Sequence, residues 1–373
     1  MNSEPQAEVV QTAARFAARH VAPVAADADH DPPRFPEEVF AAGIAAGFDR
    51  MALPESAGGH GFGTADLCAL MKTVAETCAG HAMVFAVHAA ALKSLFDAGG
   101  PESRGILESL LASQQPIAVS VPEPLAWNDF ETPLNAVRGQ GGLHRISGQS
   151  ALAFNASPSG WFLLFARTSD GMPLAFLSRD EERTLVQGAP EQTLGLRVMP
   201  VCDVRLEAHP VTQQNVLAQG ERAIGFYRAL ISNLCLVTAA VACGVIESSF
   251  RKALTYARER YQGGKMIIDH SHLRGILGRM SAGATASRGA LFHAAAQRVD
   301  DLTALGTKVY VTGHAVRATT DAVQILGGYG YMRDFGLEKV MRDAAVLSLL
   351  PVSNDRAELL VAAMEKEKSG GAP

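Results

Sequence analysis

Hydrophobic and polar positions divide the chain into three stretches of different periodicity. From about residue 6 to 112, Ala- and Leu-rich amphipathic windows predict a helical region. Between about 116 and 210 the pattern changes to short apolar runs before turn residues, such as Trp161–Phe165 before Ser169–Gly171, which is typical of strands. After Asn215 the helical period returns in long segments, roughly 225–261, 270–300, 304–326 and 336–364, the last broken by Pro351.

This order predicts an α+β fold that is mainly α. We expect an N-terminal helical domain over residues 1–114, a middle β domain over 115–214 and a C-terminal helical bundle over 215–373. The most apolar stretch, Ala229–Ile246, is interrupted by polar residues. It therefore predicts a buried core helix rather than a membrane span.

Charge and cysteine content narrow the functional classes. Lys and Arg total 33 against 38 Asp and Glu, a formal charge of -5, so no basic surface for nucleic acid is indicated. The N-terminus is acidic and polar where an export signal would be basic and then apolar, which favours a cytoplasmic protein. The five cysteines have neither CxxC spacing nor an even disulfide framework, so we expect reduced thiols.

Histidine spacing argues against a metal site. His81 and His88 are seven residues apart, which on a helix is about 10 Å, too far to share one ion. His270 and His272 would point in different directions on a helix. We expect no metal.

Two segments of the C-terminal third carry a family pattern. The first reads Ala-Val-Gln-Ile-Leu-Gly-Gly-Tyr-Gly-Tyr over residues 322–331, and Arg342-Asp343-Ala344 follows it. The second, residues 256–264, is similar to Tyr-x-x-x-Arg-x-Gln-Phe-Gly, with Gly263 in place of Phe. Together with weaker matches spread over nearly the whole chain, these segments resemble the acyl-CoA dehydrogenase family. That resemblance implies an N-terminal helical domain, a middle barrel-like β domain and a C-terminal four-helix bundle.

The resemblance implies FAD as the cofactor. The corresponding Arg, and from the neighbouring subunit the Gln and paired glycines, hold the ADP half of FAD in the family, and these positions are Arg260, Gln324, Gly327 and Gly328 here. A cation and a glycine-rich turn suit a pyrophosphate. A homo- or hetero-oligomer, a dimer or dimer of dimers, is implied as well. The alternative is that Arg260 and Gly327-Gly328 only end helices.

The positions that meet the flavin ring differ from the family. A Thr, and a Trp and Thr in a Trp-x-Thr sequence, contact the ring in relatives, and the matching residues here are Pro122, Leu152 and Phe154. Proline has no NH, and the other two have no side-chain donor. We expect fewer hydrogen bonds to the ring.

The absence of the family's usual catalytic base is the largest departure from the family pattern. Dehydrogenation removes an α proton beside the thioester, so a base must lie within hydrogen-bond reach. Pro351 occupies the position of the family's usual Glu, and the alternative position on the long helix falls at Asn233–Leu236, which has no carboxylate. We interpret Asp355 and Glu358 as surface charges. Cys235, on an apolar helix, is expected to be an inert core thiol. No catalytic residue is assigned.

The acyl-CoA channel also differs. The family's Glu-Pro-Gly-Ala-Gly-Ser-Asp loop reads Glu-Pro-Leu-Ala-Trp-Asn-Asp over residues 123–129, so Trp127 replaces a glycine and Asn128 follows it. This predicts an altered or partly filled channel. A surface Trp is the alternative.

Three functions are compatible with these residues. The chain is an acyl-CoA dehydrogenase in which substrate acidity or another residue replaces the usual Glu, a catalytically impaired partner subunit that completes the FAD site of an active paralogue, or a repurposed flavin oxidase or monooxygenase. The first two imply an acyl-CoA substrate, and typical relatives pass electrons to an electron-transferring flavoprotein. The acyl group is not determined by the sequence.

Overall fold

Helices form the first part of the chain in a computed structural model that describes residues 4–29, 33–100, 103–156, 160–179, 183–296 and 300–370. Their order is α1 (Glu4–Phe16), α2 (Glu37–Ala45), α3 (Thr64–Ala75), α4 (Ala79–Ala98) and α5 (Ser103–Ser113). Helix α4 is buried along most of its length. This explains its Ala-rich sequence without a polar face, since a helix that is apolar all round must be enclosed.

Strands follow in one large sheet and one small hairpin. They are β1 (Ile117–Ser120), β2 (Glu123–Ala126), β3 (Asp129–Glu131), β4 (Asn135–Arg138), β5 (His144–Phe154), β6 (Trp161–Thr168), β7 (Pro173–Ser178), β8 (Leu185–Gln187), β9 (Val201–Val211) and β10 (Val216–Gln219). The sheet has the order β10-β7-β6-β1-β5-β9-β8, with β4 pairing β5 and β6. Strands β2 and β3 form a separate antiparallel hairpin, which projects from the sheet region toward the helices that follow.

The C-terminal part is again helical. Its elements are α6 (Glu221–Glu259), β11 (Tyr261–Gln262), β12 (Lys265–Met266), α7 (Ser271–Ala296), α8 (Asp301–Leu326), α9 (Leu337–Leu347) and α10 (Asn354–Gly370). These helices lie close to the segments predicted from periodicity, although residues 297–299 of the predicted 270–300 segment lie outside the described part. The predicted fold class, mainly α with a β region between two helical regions, is confirmed.

Helix α6 is the central element of the molecule. It has 39 residues, a length of about 58 Å, and packs against α3, α4, α7 and α8. Helices α4 and α6 are long and apolar enough to cross a membrane, but 89% and 94% of their most apolar windows are buried inside the molecule. Helix α6 therefore connects the sheet region at its start to the far end of the bundle at Arg260.

Candidate functional site

A cavity of about 680 Å³ at the far end of the bundle brings the predicted nucleotide-binding residues together. Its lining includes Arg260, Gln324, Gly327 and Gly328. The family resemblance implied that the Gln and the glycines come from a different subunit than the Arg. In this chain all four line one cavity, because the end of α6 packs beside the end of α8.

Arg260 is positioned by a tight hairpin after α6. Its backbone NH donates to the carbonyl of Tyr256 at the end of the helix. The hairpin of β11 and β12 then turns through Gly263 and Gly264, both with positive φ. A two-residue turn of this kind requires positive φ at both central positions. This accounts for Gly263 where the family motif has Phe.

The guanidinium of Arg260 is available to an anion. It lies 5.8 Å from the centre of the Tyr329 ring, and among the described residues it has no carboxylate partner. Its side chain is exposed and makes no hydrogen bond to the last carbonyls of α6, which was the alternative interpretation. One acid, Asp334, also lines the cavity.

The paired glycines leave the backbone accessible. Gly327 caps helix α8 with φ of 57°, donating its NH to the carbonyl of Gln324, so the helix-cap interpretation is correct for this residue. A Cβ added at Gly327 or Gly328 would meet no atom within 4 Å. The cap and a nucleotide site are compatible, since a phosphate can approach a backbone that carries no side chains. These features fit the ADP half of FAD.

The predicted ring positions lie elsewhere, in the sheet region. Leu152 is 48% exposed, and Phe154 is partly buried against the main core. The register of β1 and β5 places Ser120 opposite Ala153, so both residues are close to the segment that leads to Pro122. The carbonyl of Pro122 accepts a hydrogen bond of 3.1 Å from the hydroxyl of Tyr227 on α6.

Trp127 and Asn128 form the tip of the β2–β3 hairpin and contact the bundle. Trp127 is only 8% exposed, which excludes the surface-Trp alternative. Its indole Nε1 donates to Asp301 Oδ2 at 2.8 Å. Arg228 bridges the cluster, donating to Asn128 Oδ1 at 3.1 Å and to Asp301. The Asp301 carboxylate also accepts from Ser232, so it is fully engaged.

Pro351 lies in the loop between α9 and α10, and a buried lysine holds this loop. Lys308 Nζ donates to the carbonyls of Ser348 and Val352, at 2.9 and 2.6 Å, and to Asn354 Oδ1 at 2.7 Å. Burial lowers the pKa of Lys308 to about 8. The ammonium group fixes the loop from beneath because three acceptors surround it.

The other positions considered for a base or an active-site thiol lie on the surface or in the packed core. Asp355 and Glu358 are exposed on α10, as expected. Asn233 donates to Ser94 Oγ at 2.9 Å, which joins α6 to α4. Burial raises the pKa of the Cys235 thiol to about 12, so this thiol is inert at neutral pH.

Most of the residues that hold the β2–β3 hairpin tip and the loop at Pro351 were not identified from the sequence. Arg228, Asp301 and Lys308 have no family motif in the sequence. The one available signal is Lys308 itself, a lone charge within the apolar run from Ala304 to Val311. Arg356 was also missed, and its guanidinium donates to the carbonyls of Pro124 and Leu125.

Comparison with known proteins identifies the family. Models of the acyl-CoA dehydrogenase N-terminal domain and C-terminal domain match residues 3–111 and 229–354. The chain belongs to the acyl-CoA dehydrogenase family. It is 28% identical over 364 residues to the probable acyl-CoA dehydrogenase fadE25 of Mycobacterium leprae, covering 94% of this chain and 92% of the relative.

Other relatives agree with this assignment. The chain is 28% identical to cyclohexane-1-carbonyl-CoA dehydrogenase of Geobacter metallireducens over 378 residues, and the match covers 97% of each protein. The fold of this chain matches that of butyryl-CoA dehydrogenase from Megasphaera elsdenii with a TM-score of 0.90 and 21% identity, over 98% of each chain. Family membership makes FAD the cofactor and oxidoreductase the class of activity.

Proposed function

We propose that this acyl-CoA dehydrogenase-family chain is the catalytically impaired subunit of a hetero-oligomeric dehydrogenase. It binds the ADP half of FAD, and an active paralogue abstracts the proton from the acyl-CoA. The observation that carries this proposal is the contrast between an open nucleotide cavity at Arg260 and a loop at Pro351 that has no carboxylate, with Trp127 buried in the hairpin tip.

The nucleotide end supports retention of FAD binding. Arg260 has no carboxylate partner among the described residues, and the backbone at Gly327 and Gly328 is unobstructed. When bound, FAD supplies a two-electron acceptor for the hydride that leaves the acyl chain. The contribution of this chain's own residues is to neutralise and orient the pyrophosphate.

The other end supports impairment. The loop that carries Pro351 has no carboxylate over residues 348–353, and Lys308 fixes it by three hydrogen bonds. Trp127 is held in place by Asp301. This loop therefore has no side chain that can act as the base for the α proton. The hairpin tip also occupies space near the bundle that a small Gly-rich loop would leave free.

The length of α6 supports an assembly of at least two chains. Tyr227 lies beside Pro122, whereas Arg260 lies about 50 Å further along the same helix. A single FAD is too short to reach both ends of one chain. The nucleotide cavity of one chain must therefore serve the ring region of another, either a second copy or a paralogue.

The test compares the chain alone with the chain purified from its native cells. We expect fixed-ratio co-purification with a related polypeptide, bound FAD in the complex, and no loss of oxidised-flavin absorbance when acyl-CoA is added anaerobically to this chain alone. A yellow homo-oligomer that acyl-CoA reduces by itself would refute the impaired-subunit proposal. Transfer of electrons from the complex to an electron-transferring flavoprotein is the expected following step.

Replacing Pro351 asks whether the base is the missing part. Pro351→Glu is expected to increase the fraction of flavin that acyl-CoA reduces in the assembled protein above the wild-type fraction. Pro351→Gln, which introduces a side chain of the same shape as Glu without the charge, is the matched control and is expected to leave that fraction unchanged. Equal behaviour of the two variants would show that the carboxylate is not the limiting feature.

A further inference from the structure

A second cavity adjoins the nucleotide cavity and shares Asp334 and Phe335 with its lining. It has a volume of about 560 Å³ and is bounded by the 22–29 segment, the start of α4, one turn of α6 and the start of α9. Cys78 and Lys339 lie in its wall. Neither residue takes part in the proposed function, and the inference below does not depend on that function.

Cys78 is placed where a thiolate is favoured. It is the N-cap residue of the 20-residue helix α4, so its sulfur lies at the positive end of the helix dipole. Lys339 Nζ is 3.8 Å from Cys78 Sγ. The lysine is itself fixed by Asp343, whose Oδ2 lies 2.6 Å from Nζ, and Asp343 Oδ1 accepts from the NH of Leu196. The cation beside the sulfur is therefore held in position.

A histidine completes the cluster. His81 lies one turn further along α4 and is 1% exposed. Its Nδ1 has no hydrogen-bond partner in the described part of the chain. Burial raises the pKa of Cys78, but Lys339 and then His81 lower it more, to about 7. A buried imidazole beside a nucleophile can accept or return the proton at sulfur.

The other four cysteines lack this environment. Burial raises the pKa of Cys68, Cys202 and Cys235 to about 12 and also raises that of Cys243. Lys308 and Lys72 act in the opposite direction at Cys235 and Cys243, but burial outweighs them. The chain thus contains four internal controls for the reactivity of Cys78.

Three of the remaining charged groups of the cavity are paired with cations outside its lining. Asp29 and Glu338 pair with Arg342, and Glu76 pairs with Lys72 and Arg251. The wall also contains Asp27, Lys252, Arg333 and Asp334. Since mixed charge surrounds the sulfur, an uncharged reagent gives the cleanest measure of its reactivity.

We propose that Cys78 is a covalent modification site whose thiolate attacks small disulfides that enter this cavity. The Cys78 sulfur bonds to one sulfur of the disulfide, the disulfide bond breaks, and the second half leaves as a thiolate. Cys78 is oxidised and one half of the reagent is reduced, with no further oxidant. Modification removes the negative charge beside Lys339, and so loosens the contact between α4 and α9.

The test follows release of pyridinethione when the native protein meets dithiodipyridine, an uncharged disulfide. We expect one equivalent per chain in a fast phase, with the remaining thiols reacting only after unfolding in guanidinium. Cys78→Ser is expected to remove the fast phase, and Cys202→Ser to leave it intact. A fast phase that survives Cys78→Ser, or no fast phase at all, would overturn the proposal.

The pH profile tests the role of the cluster. In the wild-type protein the fast rate is expected to rise through an inflection near the pKa of about 7. Lys339→Gln should slow the reaction at pH 7 by about tenfold, because less of the thiol is ionised, and Lys339→Arg should restore most of the rate. An inflection at the value of an ordinary free cysteine in the wild-type protein would contradict the proposal whether or not the variants fold.

Discussion

At the residue scale, His88 couples the N-terminal helices to the sheet. Its Nδ1 accepts a hydrogen bond of 3.2 Å from the NH of Ile117, so the imidazole joins α4 to the first strand. The ring also packs edge-on against Phe40. Only a neutral imidazole can accept this bond, and burial lowers the pKa of His88 to about 3.

This gives a defined acid dependence. Below pH 6.5 the unfolded chain takes up a proton on His88 that the folded chain refuses until about pH 3, so stability is lost as pH falls through that window. Between pH 7 and pH 5 the loss should be about 2 kcal/mol. We expect His88→Gln, which can still accept from Ile117, to abolish this part of the loss in urea unfolding. An identical pH dependence in both proteins would contradict the assignment.

Lys308 is the second residue whose contacts are expected to contribute measurably to the free energy of unfolding. It is fully buried, and its three acceptors all belong to residues 348–354. Lys308→Met should leave the Val352 carbonyl unsatisfied, since the Ser348 carbonyl and Asn354 Oδ1 still accept from the Asn354 NH and Thr312, and should lower the free energy of unfolding by roughly 2 kcal/mol. Lys366→Met, on the exposed part of α10, is the control and should have no measurable effect. Equal Tm values for the two variants would show that the ammonium does not hold the loop.

At the element scale, the β2–β3 hairpin is held by helices as well as by the sheet, where Arg167 of β6 donates to the carbonyl of Phe130 at 2.9 Å. Contacts come from α6 through Tyr227 and Arg228, from the start of α8 through Asp301, and from α10 through Arg356. An isolated two-stranded hairpin is only marginally stable in water. Its conformation therefore depends on the bundle against which it packs.

Removing one of these contacts should release the hairpin selectively. Arg356→Met eliminates the hydrogen bonds to the carbonyls of Pro124 and Leu125, each worth about 1.5–3 kcal/mol for a charged donor. We expect faster hydrogen exchange over residues 123–131 and unchanged exchange in α4. Arg205→Met removes an exposed pair with Glu207 and is expected to leave the hairpin unchanged. Unaltered exchange in the Arg356 variant would mean that the other helices suffice.

At the scale of the whole molecule, α6 sets the distance between the two functional regions. Its start lies against the hairpin and its end carries Arg260. No rearrangement of surface loops brings these ends together, because the helix is continuous and packed on four sides. If the ring and the ADP half of FAD bind in these two regions, as we propose, a complete FAD site is expected to require more than one chain.

Complementation between two impaired variants tests this requirement. Arg260→Met damages the nucleotide cavity, and Leu152→Glu places a charge at the exposed ring position. Each variant alone is expected to bind little FAD. If the two variants mix at random, half of the dimers contain one copy of each, and each such two-fold dimer retains one undamaged site out of two. Co-expression should therefore restore flavin to about a quarter of the sites. Failure of the mixture to exceed either variant alone would exclude a site shared by two copies of this chain and would leave a site within one chain or one completed by a paralogue.

The sequence alone determined the order of helix, strand and helix and the family, and it predicted four nucleotide-binding residues that line one cavity. These follow from local signals: apolar periodicity identifies elements, and Arg260, Gln324, Gly327 and Gly328 lie within short family motifs. That these residues are divided between subunits stays a prediction, because it was carried over from relatives and concerns an assembly of more than one chain.

Tertiary structure decided the contacts between residues far apart in the chain. Trp127 is buried because Asp301 lies 174 positions away in sequence but 2.8 Å away in space, and Cys78 acquires a cation because Lys339, 261 positions later, packs beside it. Neither partner is marked by a motif. Burial and pairing of such groups depend on how helices dock, and local sequence patterns specify the helices but not the side chains that meet between them.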